Sequence, residues 1–373
     1  MGIAGKFIQQ LVVFDICVTL ILNYGIVFSS GVGDGKIKCL EKEKEALLSF
    51  KRELLDVHGR LSSCGNEGFN QDCCTQRGVR CDNQIGNVIG LDLSRPFGAF
   101  ANYAVEPLVG GIPEFVSSLS QLEYLNLSCI GSDFTKIPPH IGNLSNLNTL
   151  DLSYNDYLFV NNLKWLFHLR QLRCLAINWA DLNGVILDAL GNMLSLARLN
   201  LSINYFQGPI PDVLWNMKSL QHLDLSGNAC GSGFSSCFGK ISNLKSLRVS
   251  FCSLDVQLSQ IMKNLSCMTD SLEYLNLERN HIGGSLPDVL ANFSPHSSNP
   301  LEFGGTFLVG SRTSCLNFDS LGYLDLSDNL LYEELPSCWT LRSLTHLNLA
   351  NNNFSRKIPN AMRSLEMLEM LHL

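Results

Sequence analysis

The sequence predicts an α/β solenoid. Coils of about 24 residues stack in a right-handed superhelix and lay parallel strands side by side on a concave face. Three observations carry this reading. Leucine supplies 64 of 373 residues and is spread evenly along the chain. The pattern L-x-x-L-x-L-x-x-N recurs, anchored at Leu122, Leu147, Leu172, Leu196, Leu220, Leu244, Leu272, Leu321, Leu344 and Leu368. The spacings are 25, 25, 24, 24, 24, 28, 49, 23 and 24 residues. Many units also carry a Gly/Pro punctuation in their second half: GGIP at 110–113, IPP at 137–139, GPIP at 208–211, GSLP at 284–287, LP at 335–336 and KIP at 357–359.

Each element follows from the unit. The two leucines of L-x-L point inward, and the residues beside and between them point outward, as a strand requires. The ladder position three places after the second leucine carries Asn155, Asn204, Asn228, Asn280, Asn329 and Asn352. A buried amide there can satisfy the backbone of the turn, copy upon copy. Cys252, Ala180 and Ile130 occupy the same slot and break the ladder locally. Glycine and proline turn the convex side and prevent long helices. This register is specific for a leucine-rich repeat. Residues 86–373 hold about ten complete units and one cut off, preceded by a degenerate VIGLDLS at 88–94. Residues 293–318 are irregular. An inserted loop or a decayed repeat would explain them, and a gap near two units favours the decayed repeat.

Residues 1–30 read as a secretory signal peptide: Lys6 is the basic flank, Leu11 to Leu22 the apolar run, and Ser29, Ser30 and Gly31 a cleavage site. Asp15 and Asn23 argue against a span of about 20 apolar residues. No later stretch reaches that length, so no membrane anchor is expected. Fourteen cysteines suit an oxidising compartment, and loss of Cys17 leaves 13, so at least one thiol is expected to be unpaired or to pair with another chain. N-glycans are expected at Asn126, Asn143, Asn200, Asn264 and Asn353, with Asn292 weakened by Pro295. Asn126 and Asn200 fall between core leucines on the concave strands, where glycans would push ligand contact elsewhere.

The first coil needs a cover, and residues 36–85 can supply it. LEKEKEALLSFKREL at 40–54 sets Leu40, Ala46, Leu47, Phe50 and Leu54 on one helical face. Cys39 precedes this helix, and Cys73, Cys74 and Cys81 follow it. We expect Cys39–Cys73 and Cys74–Cys81 pairs, although spacing alone does not fix connectivity. Cys230 and Cys237 flank a GSGFSS loop whose spacing fits either a local disulfide or two separate thiols.

The segments Cys39…EALLSFKREL…LSS…DCCTQRGVRCDN…GNVIGLDL resemble the plant-type leucine-rich-repeat N-terminal cap. With the GxIP repeats they resemble the ectodomain of plant receptor-like proteins of the ethylene-inducing-xylanase receptor type. The resemblance implies a cell-surface ectodomain that recognises a microbial or peptide ligand in defence signalling. It also implies a receptor-kinase co-receptor, because the family has no kinase domain. Two tryptophans usual in that cap are replaced by Cys64 and Gln76, and Cys64 is the expected odd thiol. The sequence stops in mid-strand at Leu371-His372-Leu373, before the later repeats, C-terminal cap and membrane helix of the family. This suggests a fragment, a truncated gene product or a decoy, free in the apoplast if secreted as written. A secreted polygalacturonase-inhibitor-like protein is the rival reading.

Net charge −7 with no basic run argues against nucleic-acid binding. GVGDGK at 31–36 lacks P-loop spacing, and there is no kinase, HExxH or GxSxG signature. No catalytic residue, metal site or cofactor is implied. Function should sit on the concave strands. Before the first strand leucine stand Tyr124, Thr149, Cys174, Arg198, His222, Ser246, Tyr274, Tyr323 and His346. Between the leucines run Asp92, Asn126, Asp151, Ala176, Asn200, Asp224, Arg248, Asn276, Asp325 and Asn348. Two places after the second leucine stand Tyr154, Trp179, Ile203, Phe251 and Arg279. Aromatics and arginine suit interface hot spots, and Ile203 with Gly227 suggests a shallow apolar trough between Trp179 and Phe251. The Asp/Asn column reads most simply as a solvated strand face.

Overall fold

The computed structural model describes residues 38–53, 72–76, 78–94, 114–129, 137–155, 158, 163–184, 190, 193–231, 241, 243–265, 271–286, 320–335, 339, 341–355 and 358–373. One sheet of twelve strands dominates them. It opens on an antiparallel pair, β1 (Val79–Cys81) and β2 (Val88–Asp92). It then runs in parallel through β3 (Tyr124–Asn126), β4 (Thr149–Asp151), β5 (Cys174–Ala176), β7 (Arg198–Asn200), β9 (His222–Asp224), β10 (Ser246–Arg248), β11 (Tyr274–Asn276), β13 (Tyr323–Asp325), β15 (His346–Asn348) and β17 (Met370–His372). Two lateral sheets flank it: β6 (Asn183–Gly184) with β8 (Tyr205–Phe206), and β12 (Gly283–Ser285) with β14 (Leu330–Glu333) and β16 (Asn353–Phe354). Strand leucines such as Leu150, Leu175, Leu247 and Leu275 are fully buried and stack into one continuous core.

The ladder holds that stack together. In Asn204, Nδ2 donates to Ile177 O at 2.8 Å and Leu201 O at 3.0 Å, while Oδ1 accepts from Ala180 N and Leu182 N. Asn280 repeats the arrangement with Val249 O, Leu277 O, Cys252 N and Leu254 N. Each ladder amide thus bonds its own coil and the preceding one. Ile130 lies outside the described residues.

Proline does its expected work on the convex side. Pro211 and Pro359 immediately precede the short 3-10 turns Asp212–Asn216 and Asn360–Ser364. The 28-residue unit differs. It lacks the punctuation and places an α-helix, Leu258–Leu265, on that side, with Leu258, Ile261, Met262 and Leu265 buried. Four extra residues give that helix its room.

Two expectations are corrected here. Strand β11 pairs directly with β13, Tyr274 against Tyr323 and Leu275 against Leu324. Asn329 Nδ2 reaches Leu277 O across that joint. No strand stands between them in the sheet, which goes against the expected decayed repeat; residues 293–318 themselves lie outside the described residues. The second correction lies in the cap. Helix α1 (Glu41–Glu53) buries Ala46 and Leu47, but Leu40 is exposed. Glu43 is buried instead, and its Oε2 accepts the Val88 N–H at 2.9 Å. Burial raises the Glu43 carboxyl above its usual range, and that hydrogen bond opposes the rise. The carboxylate therefore fastens the cap helix to the first strand pair. Leu54 lies outside the described residues. Cys39 is bonded to Cys73 and Cys74 to Cys81. Residues 1–37, with the signal sequence, and Cys64 also lie outside the description. Among the described residues no helix is long and apolar enough to cross a membrane.

Candidate functional site

The concave face is built from three outward columns, and the structure assigns them different roles. The Asp/Asn column between the leucines is architectural. Oδ1 of Asp92, Asn126, Asp151, Asn200, Asp224, Asn276, Asp325 and Asn348 accepts the backbone N–H two residues on, at 2.9–3.2 Å. These are Asx turns that end each strand. Asp224 and Asp325 are buried, which corrects the expected solvated face. Burial raises the Asp224 carboxyl above its usual range, and the nearby Arg248 opposes the rise.

The column two places after the second leucine is left-handed throughout. Cys129, Tyr154, Trp179, Ile203, Gly227, Phe251, Arg279, Asp328 and Asn351 all have φ between 52° and 71°. The chain must bend there to bring the ladder residue inward. Gly227, Asp328 and Asn351 suit that conformation, whereas a β-branched or bulky residue is strained by roughly 1–2 kcal/mol. Tyr154 and Trp179 sit half-buried with ring centroids 6.1 Å apart. Burial, first of all, pushes the Tyr154 hydroxyl up to about 12. Phe251 is not a bare wall, because the Arg279 guanidinium lies 4.7 Å over its ring. Arg279 is held in turn by Asp328 at 2.9 Å, which also raises its pKa. Ile203 packs against Gly227, so the trough expected between Trp179 and Phe251 is floored by their contact.

The column before the first strand leucine divides in two. Tyr124 is only 5% exposed, and its hydroxyl donates to Asp92 Oδ2 at 3.3 Å, so it leaves the candidate surface. Farther along, Tyr274 and Tyr323 are half-exposed and stacked, 4.2 Å between centroids and 7° between planes. Arg248 lies 4.5 Å over the Tyr274 ring, and His346 is 5.7 Å from Tyr323. A four-residue stack thus crosses β10, β11, β13 and β15. His346, the last residue of that column, stands in register with Tyr323 and closes the stack. Burial, first of all, raises the Tyr323 hydroxyl well above its ordinary range, with Tyr274 and Asp325 adding to the rise.

Between these aromatic groups lies a shallow depression lined by Cys174, Arg198, Asn200, His222, Asp224 and Ser246. Burial holds His222 down to about 4, with Arg198, Lys245 and Arg248 adding to the effect and Glu273 opposing it. His222 is therefore neutral near pH 7, and the arginines supply the positive charge around the depression.

The sequon asparagines are also sorted. Asn143 and Asn353 are exposed, and Asn126 is half-buried. Asn200 and Asn264 are buried, 8% and 4% exposed. An N-glycan must leave the amide nitrogen into solvent, so those two positions are corrected as glycan sites. Asn264 lies inside the convex helix. Asn292 lies outside the described residues.

These features define a leucine-rich-repeat protein with a plant-type cap and a concave face lined by aromatic and arginine side chains. The leucine rich repeat N-terminal domain matches residues 40–82, and the leucine rich repeat matches 219–241, 271–293 and 343–365. The chain is similar to receptor-like protein EIX1 of Solanum lycopersicum, 38% identical over 40% of this chain and 17% of that protein. It is also similar to receptor-like protein EIX2 of the same plant, 42% identical over 33% of this chain and 12% of that protein. The matched segments are thus under a fifth of those proteins' lengths. Among solved structures it resembles the Arabidopsis receptor kinase HAESA ectodomain in complex with an IDA peptide hormone. The TM-score is 0.63 at 26% identity, covering 90% of this chain and 53% of that one.

Proposed function

We propose that this chain is the ligand-recognition part of a plant cell-surface receptor-like protein and binds an extended peptide or protein loop on its concave face. The observation that carries the reading is the Arg248–Tyr274–Tyr323–His346 stack, a run of half-exposed groups on four neighbouring strands. Stacked rings use their faces on each other and offer edges and hydroxyls, which suits a polar backbone more than an apolar plug. The Arg198, His222 and Arg248 region beside it takes an acidic group of the ligand, since an arginine–carboxylate contact is charge-assisted. Tyr154 and Trp179 form the second contact point, at strained positions that Gly, Asn or Asp would occupy more cheaply. The HAESA ectodomain holding a peptide hormone supports the ligand class. The receptor-like relatives support a role in defence at the extracellular side of the plasma membrane and no catalytic activity of its own. Signalling would pass to a receptor-kinase partner, as the family resemblance implies.

The test selects a displayed library of extended acidic peptides against the secreted chain. A selected peptide is then re-measured on two variants. Tyr274→Ala should weaken binding about tenfold, in the range of an interface hot spot. Tyr332→Ala, exposed on the lateral β14, should not change it. Loss at Tyr332→Ala with Tyr274→Ala unaffected would move the site off the concave face.

A further inference from the structure

The one buried ladder slot filled by cysteine points to a covalent link that neither the fold nor the relatives assign. Each ladder amide on the C-terminal side of a coil reaches back to the residue two places after the preceding ladder position. Asn204 Oδ1 accepts from Leu182 N, Asn228 from Phe206 N, Asn280 from Leu254 N, Asn329 from Ile282 N and Asn352 from Leu331 N. Applied to the slot held by Cys252, the rule names residue 230, two places after Asn228. Residue 230 is also a cysteine.

The geometry bears out the placement. Cys230 N donates directly to Cys252 O at 3.1 Å, because no amide oxygen stands between them. The Cys252 thiol donates to Leu225 O at 3.2 Å, taking over the ladder bond to the preceding coil. The neighbouring Cys230 thiol, ahead of burial, pushes the Cys252 thiol well up. Both residues are closed off from solvent, at 2% and 0% exposure. A direct backbone hydrogen bond keeps the two Cα atoms close to the roughly 4.4–6.8 Å that a disulfide spans.

We propose that Cys230 and Cys252 form a disulfide that replaces one rung of the asparagine ladder and joins two consecutive coils. The bond forms by exchange with a donor disulfide, either oxidised glutathione or a protein disulfide of the secretory pathway. The two thiols lose two protons and two electrons, the new S–S bond forms, and the donor S–S bond breaks and leaves as two thiols. A deeply buried thiol of raised pKa carries little thiolate and exchanges slowly. The link is therefore made while the coils close and is retained once they have closed. It assigns Cys230 away from Cys237, its neighbour across the GSGFSS loop. Cys129, Cys174, Cys230 and Cys252 all lack a disulfide in this structure, so the Cys230–Cys252 bond is the one that oxidation adds, and Cys129 and Cys174 serve as internal references.

The experiment uses the full chain secreted from a eukaryotic host, quenched in acid, then denatured and alkylated without reductant. Peptide mapping should show a Cys230–Cys252 cross-linked pair lighter by two hydrogen atoms than the separate thiols, with Cys129 and Cys174 alkylated. In Cys230→Ser, Cys252 should become alkylated, so the count of alkylatable cysteines rises by one. Alkylation of both Cys230 and Cys252 in the wild-type chain overturns the proposal. So does a Cys230–Cys237 cross-link, or a variant in which Cys237 is the newly alkylated residue. If the variant is not secreted, the wild-type map decides alone.

Discussion

Tyr124 on β3 and Tyr323 on β13 hold the same place in their repeats, and the two ends of the concave face use them in opposite ways. Tyr124 stands in register with Gly90 on one side and Thr149 on the other. The Arg80 side chain from β1 lies over the glycine, and the buried Tyr124 reaches Asp92 with its hydroxyl. Tyr323 stands in register with Tyr274 and His346. Neighbouring strands are about 4.8 Å apart, close to a stacking distance, so rings at equal register stand up against each other. One column therefore yields a buried, hydrogen-bonded ring at the cap end and a run of stacked, half-exposed rings where its neighbours are flat. A tyrosine in a solenoid strand is read correctly only with the residues one coil before and after it.

The largest expected effect tests the buried end. Tyr124→Ala should destabilise the folded chain by about 3 kcal/mol, the scale of deleting a buried aromatic ring. Tyr323→Ala should stay within about 1 kcal/mol of the parent, as a partly exposed ring does. Chemical denaturation of the two secreted variants measures both, and similar losses would dissolve the distinction between the two ends.

Glu43 sharpens the same contrast from the cap side, because it anchors the sheet end on which Tyr124 lies. Glu43→Ala leaves the buried Val88 N–H without its acceptor and should cost about 2 kcal/mol. Glu43→Gln keeps an oxygen in place and should recover most of that loss. A Gln variant as unstable as the Ala variant would mean that the negative charge, rather than the hydrogen bond, matters.

At the exposed end the readout is binding. Tyr323→Ala should weaken a peptide selected on the parent chain about tenfold, or about 1.4 kcal/mol. Unchanged affinity in a well-folded variant would remove the stack from the recognition surface.

The smallest effect lies between the two ends, at His222. Its folded pKa of about 4 is below the ordinary 6.5. The unfolded chain takes up that proton first on acidification. Stability from this group is therefore full above about pH 6.5 and is lost as pH falls toward 4. Because the ring is only partly buried, the loss should be about 1 kcal/mol relative to His222→Gln. Thermal melts at pH 7 and pH 4 compare the two, and parallel losses would show that some other group governs the acid side.

The candidate site was only partly legible in the sequence. The aromatic and arginine positions were visible as columns, because strand alternation fixes which residues point outward. The Asp/Asn column was misread as a solvated face, since a carboxylate between leucines looks the same whether it meets water or a backbone N–H two residues on. Ile203 and Gly227 were read as an open trough, but a residue pair in sequence does not reveal that one side chain fills the space above the other.

The sequence by itself determined the solenoid, its register, the strand leucines and the asparagine ladder, because each depends on a spacing that repeats within one coil. Only the tertiary structure decided what passes between coils. Direct pairing of β11 with β13 left no strand for a further repeat between them. The back-reach of the ladder set Cys252 against Cys230. Tyr124 is buried with its hydroxyl on Asp92 from the coil before it, while Tyr323 stacks between Tyr274 and His346 at the surface. The physical reason is common to all three. Repeats about 24 residues apart in sequence lie one strand spacing apart in space, and the energy of a side chain there is set by the neighbour it meets.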